Sequence, residues 1–330
     1  MEIDTSNMRQ VILDFPKQLG EGLALAKNAN ISGEFKNIIV CGMGGSALPA
    51  EILIDLQVTK IPVFIHRDYD LPPQPGKHSL VICISYSGNT EETVSSLQAA
   101  ISKNMHVVTI ATGGTLEALA KKHNLPFVKI PAGIQSRSAT GYLFGALVRI
   151  LENTETVGAI SPEIPALASF LEEKTAVLEI QGKDLAKKIT HKIPVVYAAE
   201  HIKSVAQLWK IKFNENSKIP AFFNVLPELN HNEMVGFTNR ELAKHLVVIT
   251  LQNNYDHLRI QKRQHLTAQV IKERGAGHEF IALPEGKNAL ETIFASLLLG
   301  DWTSYYLALE QGIDPSPVEI VEQFKKDLVK

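Results

Sequence analysis

The feature that most limits what this chain can become is a recurring unit: a short apolar, β-branched run, then a loop, then a helical stretch. Ile38–Cys41, Val63–His66, Leu80–Ile84, Val107–Ile110 and Phe127–Ile130 are too short for buried helices and suit strands covered on both faces. Helical runs follow two of them, from Leu48 to Leu56 and from about Glu91 to Lys103, and Pro72, Pro73 and Pro75 force an extended loop between. A second series begins with Pro194–Ala198 and continues with Leu246–Leu251 and Glu279–Leu283 as strands. Its helices are read over His201 to about Asn214, Tyr255–Arg274 and Asn288–Leu299. Residues 140–190 read almost wholly as helix, Gly141–Leu151 and Pro162–Ile189. The expected fold is α/β, with two doubly wound parallel sheets flanked by helices. The expected organisation is a first domain over 1–153, a helical connector over 154–190 and a second domain over 191–330.

Charge and apolar patterning narrow the partners. A net charge of −2 on 330 residues advertises neither nucleic acid nor an acidic membrane. The most apolar late stretch, Ala289 to Leu309, is interrupted by Glu291 and Asp301 and reads as core helices, not a membrane span. Residues 1–20 mix Glu2, Asp4, Arg9 and Asp14 among apolar positions, unlike a signal segment. Cys41 and Cys83 each close an apolar run and are expected to be buried, reduced thiols, which makes the cytoplasm the expected compartment. His191, His201, His231, His257 and His265 show no paired ligand spacing, so no metal site is expected.

Two motifs carry the chemistry. In CGMGGSALPAEI, Cys41 to Ile52, a strand enters Gly42, Gly44 and Gly45 and then a helix opened by Ser46. Glycines let the backbone approach a ligand, and a helix start offers unpaired amides to an anion. Gly42-Met43-Gly44-Gly45-Ser46-Ala47 also matches the dinucleotide fingerprint, with Asp68 able to serve as the ribose-binding acid. Alone, this loop leaves a nucleotide, another phosphate and a plain tight turn all open. In ISYSGNTEET, Ile84 to Thr93, Ser85, Ser87 and Thr90 set three hydroxyls around Gly88 and Asn89 at a second helix start. One hydroxyl would be a helix cap. Three, beside a second glycine-rich anion loop, favour the oxygens of a phosphate monoester.

These two motifs, some forty residues apart, strongly resemble the sugar-isomerase (SIS) domain family. FNENSKIPAFFNVLPELNHNEMVGF and GDWTSYYLALEQGIDPSPVEIVEQFKK are similar to the bifunctional phosphoglucose/phosphomannose isomerases within it. The resemblance runs from about residue 10 to the end. It implies two SIS domains, a sugar phosphate as substrate, no cofactor, and metal-independent interconversion of fructose 6-phosphate with glucose 6-phosphate and mannose 6-phosphate through a cis-enediol. A non-catalytic SIS sensor of a sugar phosphate, or a SIS isomerase of another phosphosugar, are the alternatives.

The resemblance also implies residue roles. Gly45, Ser46, Ser85, Ser87 and Thr90 would bind the substrate phosphate. Glu215 would be the base that moves a proton between C2 and C1, and His231 the acid/base that opens the sugar ring, delivered across a homodimer interface. Arg137 would steady the enediolate charge. Lys325 would lie near the sugar, although Lys326 beside it makes the register ambiguous. At the threonine that members with mannose activity carry, this chain offers Ser316 or Val318, a departure that bears on the mannose reaction.

Overall fold

β-branched runs with both faces covered build the centre of each half of the chain. The computed structural model describes residues 3–73 and 76–328, so Pro75 of the expected extended loop lies outside the described residues. Helices α1 (Met8–Leu13) and α2 (Phe15–Leu25) come first, then β1 (Asn37–Cys41), α3 (Leu48–Asp55), β2 (Val63–His66) and β3 (Ser79–Ile84). Next are α4 (Glu91–Ser102), β4 (His106–Ala111), α5 (Gly114–Lys122), β5 (Phe127–Lys129), α6 (Thr140–Asn153) and α7 (Ile164–Ile189). The later half holds β6 (Ile193–Ala199), α8 (Lys203–Glu215), β7 (Phe222–Leu226), α9 (Arg240–Ala243) and β8 (Leu246–Gln252). It finishes with α10 (Leu258–Glu273), β9 (Gly277–Ala282), α11 (Ala289–Glu310) and α12 (Glu319–Leu328).

The chain divides into two units. The first is Leu13–Glu173 with Ala289–Glu291. Its sheet is wholly parallel, in the order β2-β1-β3-β4-β5. All six residues of β3 are buried, as a central parallel strand requires. Ile39, Val81 and Val107 pack with Leu97 of α4 and Leu116 of α5 on one face. Each such side chain contributes roughly 1.5–3 kcal/mol by leaving water. Cys41 and Cys83 are buried register partners on β1 and β3.

The second unit comprises the segment ending at Ile12, Lys174–Asn288 and the segment from Thr292 onward. Its parallel sheet runs β7-β6-β8-β9, repeating the first four positions of the other winding. Val195, Tyr197 and Val248 pack with Ile271 of α10 and with Leu229 and Phe237 from the turns after β7. The N-terminal segment is bound into this unit by polar contacts: Arg9 makes a two-pronged pair with Glu179, at 2.9 and 3.0 Å, while Tyr305 donates to Asp4 at 3.2 Å.

Two expectations need correction. The helix expected over Asn288–Leu299, in a stretch expected to hold several core helices, is one unbroken helix, α11, that passes through Gly300 and Asp301. Gly300 presses against the indole of Trp209, where an added Cβ would stand 2.6 Å from the ring, and Asp301 is neutralised by buried Lys212. The helix expected from Tyr255 begins at Leu258, because Asn253–His257 form a turn in which His257 Nδ1 caps the Arg259 amide at 3.1 Å. Among the described residues no helix is long and apolar enough to cross a membrane.

Candidate active site

In an open parallel sheet, ligands bind outside the carboxyl ends of the strands where the winding reverses. In the first unit that point lies between β1 and β3, because the chain leaves β1 for β2 on one side and β3 for β4 on the other. The loops that leave those two strands are the two motifs. After β1, Gly44–Ser46 form a single 3-10 turn ahead of α3. After β3, residues 85–90 lead directly into α4.

The two loops are bonded to each other. Ser46, a residue only 6% exposed, accepts the Tyr86 amide on its Oγ at 3.2 Å. Within the second loop, Ser85 Oγ lies 2.8 Å from Thr90 Oγ1 and 3.5 Å from Ser87 Oγ, and it accepts the Gly88 amide at 3.1 Å. Thr90 is the N-cap residue of α4, yet its side chain makes no capping bond. Its hydroxyl is turned toward Ser85 instead. The first amides of a helix have no intrahelical acceptor, so the α4 start adds donors and a favourable dipole to these hydroxyls. The result is a neutral cluster of rotatable donors and amides suited to an anion.

The backbone of Arg137 packs on the first of these loops. Arg137 sits in a 3-10 turn, Ser136–Ser138, just before α6, and is only 1% exposed. The turn lies over the first loop: a Cβ on Gly45 would be 3.2 Å from Arg137 Cα. A guanidinium this buried is a fixed positive charge in a poorly screened setting. The segment leading to it is tied to the second loop, because the Ile134 amide donates to the Tyr86 hydroxyl at 3.2 Å. Burial pushes the Tyr86 phenol up from its ordinary pKa, so it stays protonated.

Gly45, Ser46, Ser85, Ser87, Thr90 and Arg137 thus gather in the first unit. The other expected residues lie in the second. Glu215 is the last residue of α8 and is half-buried. The chain beyond it is pinned to α11: Asn216 Nδ2 donates to Ser304 Oγ at 2.9 Å and Ser217 Oγ to the Ser304 carbonyl at 2.7 Å. Beneath α8, Lys212 and Asp301 form a buried ion pair. His231 is exposed, at the end of the 3-10 turn Glu228–His231 that follows a cis Leu226–Pro227 peptide. Its neighbours are anchored: Asn230 donates to Thr267 Oγ1 at 2.8 Å, while Glu233 accepts from Tyr197 at 2.5 Å and also from Asn224. Burial, reinforced by Glu233, pushes the Tyr197 phenol far above its ordinary pKa. Lys325 is exposed on α12 and paired with Glu322 at 3.1 Å. Ser316 is buried and Val318 partly so, both in the turn before α12.

Several supports escaped the sequence reading. Tyr86 links three segments, and the turn after β4 props the second loop: the Thr112 amide donates to the Tyr86 carbonyl at 2.9 Å and the Leu116 amide to that of Gly88 at 2.9 Å. The Gly113-Gly114 pair in the sequence was the available signal for this turn. Asp68, the candidate ribose acid, is exposed and accepts the Tyr69 amide at 2.8 Å. Among the described residues, no three His, Cys, Asp or Glu side chains are placed to hold a metal ion.

Comparison with known proteins agrees with this architecture. The family model of the bacterial phospho-glucose isomerase C-terminal SIS domain matches residues 179–328. A bifunctional phosphoglucose/phosphomannose isomerase of Aquifex aeolicus is 34% identical over 299 residues, covering 90% of this chain and 91% of the relative. A protein of the same name from Caldicellulosiruptor bescii is 34% identical over 340 residues, covering 98% and 99%. In fold, the chain is similar to tagatose-6-phosphate ketose/aldose isomerase of Escherichia coli, with a TM-score of 0.70, 18% identity and 93% of each chain covered. With a parallel sheet in each unit, two loops at a switch point and relatives matched over nearly their whole length, the chain belongs to the bifunctional phosphoglucose/phosphomannose isomerase family.

Proposed function

We propose that this chain is a metal-independent aldose–ketose isomerase that interconverts fructose 6-phosphate with glucose 6-phosphate and mannose 6-phosphate. The observation that carries the reading is the turn of Thr90 away from its capping role, toward Ser85, in a loop bonded to Ser46. Those hydroxyls, with Gly45 and the α4 amides, hold the substrate phosphate. Arg137 supplies the positive charge that steadies the enediolate.

His231 opens the ring, protonating the ring oxygen while the C1 hydroxyl gives up its proton. Glu215 then takes the proton from C2 of the aldose, leaving a cis-enediol, and returns it at C1 to give the ketose. Both carbons are neighbours, so one carboxylate serves both steps and no nucleotide is consumed. Lys325 lies near the sugar hydroxyls. The enzyme is cytoplasmic and works as a homodimer, each His231 serving the partner copy. An apolar stripe on α12, with Ile320 87% and Phe324 62% exposed, supports a surface for that second copy.

The test is fructose 6-phosphate with purified protein and no added metal, glucose 6-phosphate and mannose 6-phosphate being followed separately. Both products are expected, and both should fall by about 10²–10⁴-fold in Glu215→Gln, the usual contribution of general base catalysis. A protein that binds fructose 6-phosphate yet makes neither product overturns the reading.

A further inference from the structure

The end of α8 and the turn ahead of α12 share one ammonium group. Lys218 Nζ donates to the main-chain oxygen of Glu215 and, at 3.0 Å, to that of Pro315. The Glu215 carbonyl belongs to the last turn of α8, whose carbonyls find no later amide within the helix. A cation is also favoured there by the helix dipole. Lys218 reaches it from a left-handed backbone conformation, φ +56°, which side-chain-bearing residues seldom adopt.

The second partner is equally fixed. Pro315 and Ser316 are buried, and the Ser316 amide donates to Asp314 Oδ1 at 2.9 Å. The other oxygen of Asp314 accepts from Thr5 Oγ1 at 2.5 Å. One ammonium therefore joins the backbone that carries Glu215 to a turn that is itself held from the N-terminal segment.

We propose that Lys218 is a positioning residue, locking the Glu215 backbone against the Asp314–Ser316 turn and so fixing the direction from which the carboxylate meets the substrate. The inference rests on the isomerase reading above, with Glu215 as base. Glucose 6-phosphate and mannose 6-phosphate differ only in the face of C2 that bears the hydrogen. The product ratio, that of their initial rates of formation from fructose 6-phosphate, therefore reads the approach of the base. A general loss of stability changes the amount of active enzyme but not that ratio.

The experiment compares the full-length protein with Lys218→Met and Lys218→Arg, recording kcat, KM, the product ratio and the melting temperature. Displacing a reacting group by about 1 Å costs on the order of 10²-fold. Lys218→Met is expected to lose about 10- to 100-fold in kcat with KM held within about 3-fold. Its product ratio should shift at least about twofold, and Lys218→Arg, which keeps donors and charge, should restore most of both. If the Met variant fails to fold, Lys218→Gln, with a shorter neutral donor, replaces it with the same expectation. An active wild type whose Met or Gln variant keeps both kcat and product ratio overturns the proposal alone. A wild type that makes neither product overturns the isomerase reading, and this proposal with it.

Discussion

Ser46 Oγ accepts the backbone N–H of Tyr86 at 3.2 Å, so the loops after β1 and β3 are one hydrogen-bonded body. Ser46→Ala removes this bond and, in the proposed site, one donor to the phosphate. A hydrogen bond to a charged group is worth about 1.5–3 kcal/mol, which corresponds to a rise in KM of roughly 10- to 150-fold. Steady-state kinetics on fructose 6-phosphate checks this, and an unchanged KM would remove Ser46 from the phosphate site.

Gly88 cannot take a side chain. Its φ is +72°, and a Cβ would stand 1.8 Å from the Gly113 carbonyl oxygen. Gly88→Ala must therefore push the second loop off the turn that supports it. The expected cost is about 2–4 kcal/mol, or a melting temperature lower by roughly 4–16 °C, with weakened binding of inorganic phosphate. Calorimetry with and without phosphate measures both effects.

His278 sets a stability limit on the acid side. Burial, with smaller contributions from Lys272 and His265, lowers its pKa from 6.5 to about 4. Between those values the unfolded chain binds a proton that the folded chain refuses. Stability should therefore fall as pH drops through that window and gain nothing from this group above it. Because the ring is only partly buried, the slope should be less than one full proton. Melting temperatures across the window should fall less steeply in His278→Gln; parallel curves would discount the histidine.

The proposed proton shuttle runs through side chains alone, so on that reading excess EDTA should leave isomerase activity intact. Complete loss, restored by added zinc, would contradict the proposed mechanism.

Eight of the nine strands among the described residues, and both motif loops, could be read from sequence because their signals are local. Leu80–Ile84 is a β-branched run with no polar break, and Ser85, Ser87 and Thr90 sit within six residues of one another. What could not be read depends on distant partners. Nothing around Gly300 announces that a helix continues through it, since the reason is Trp209, which fits only because there is no side chain. Nothing in AGIQSRSATGY shows that Arg137 is buried, because its turn is roofed onto Gly45 by the tertiary fold. Strand β7 (Phe222–Leu226) went unread because Asn224 interrupts its short apolar run and Pro220 and Pro227 bracket it. The roles of Glu215 and His231 came from resemblance; the spacing around them says only helix end and turn.

The attachment of the first residues to the second unit gives synthesis a direction. Asp4 bonds Tyr305, three hundred positions later, and Arg9 pairs with Glu179. At translation speeds of about 5–20 residues per second, Asp4 is synthesised roughly 15–60 s before Tyr305. The strands of the first sheet, by contrast, can pair as soon as β5 is out. Helix α1 must therefore wait while its neighbour α2 folds, and its attachment is completed only once α11 has been made.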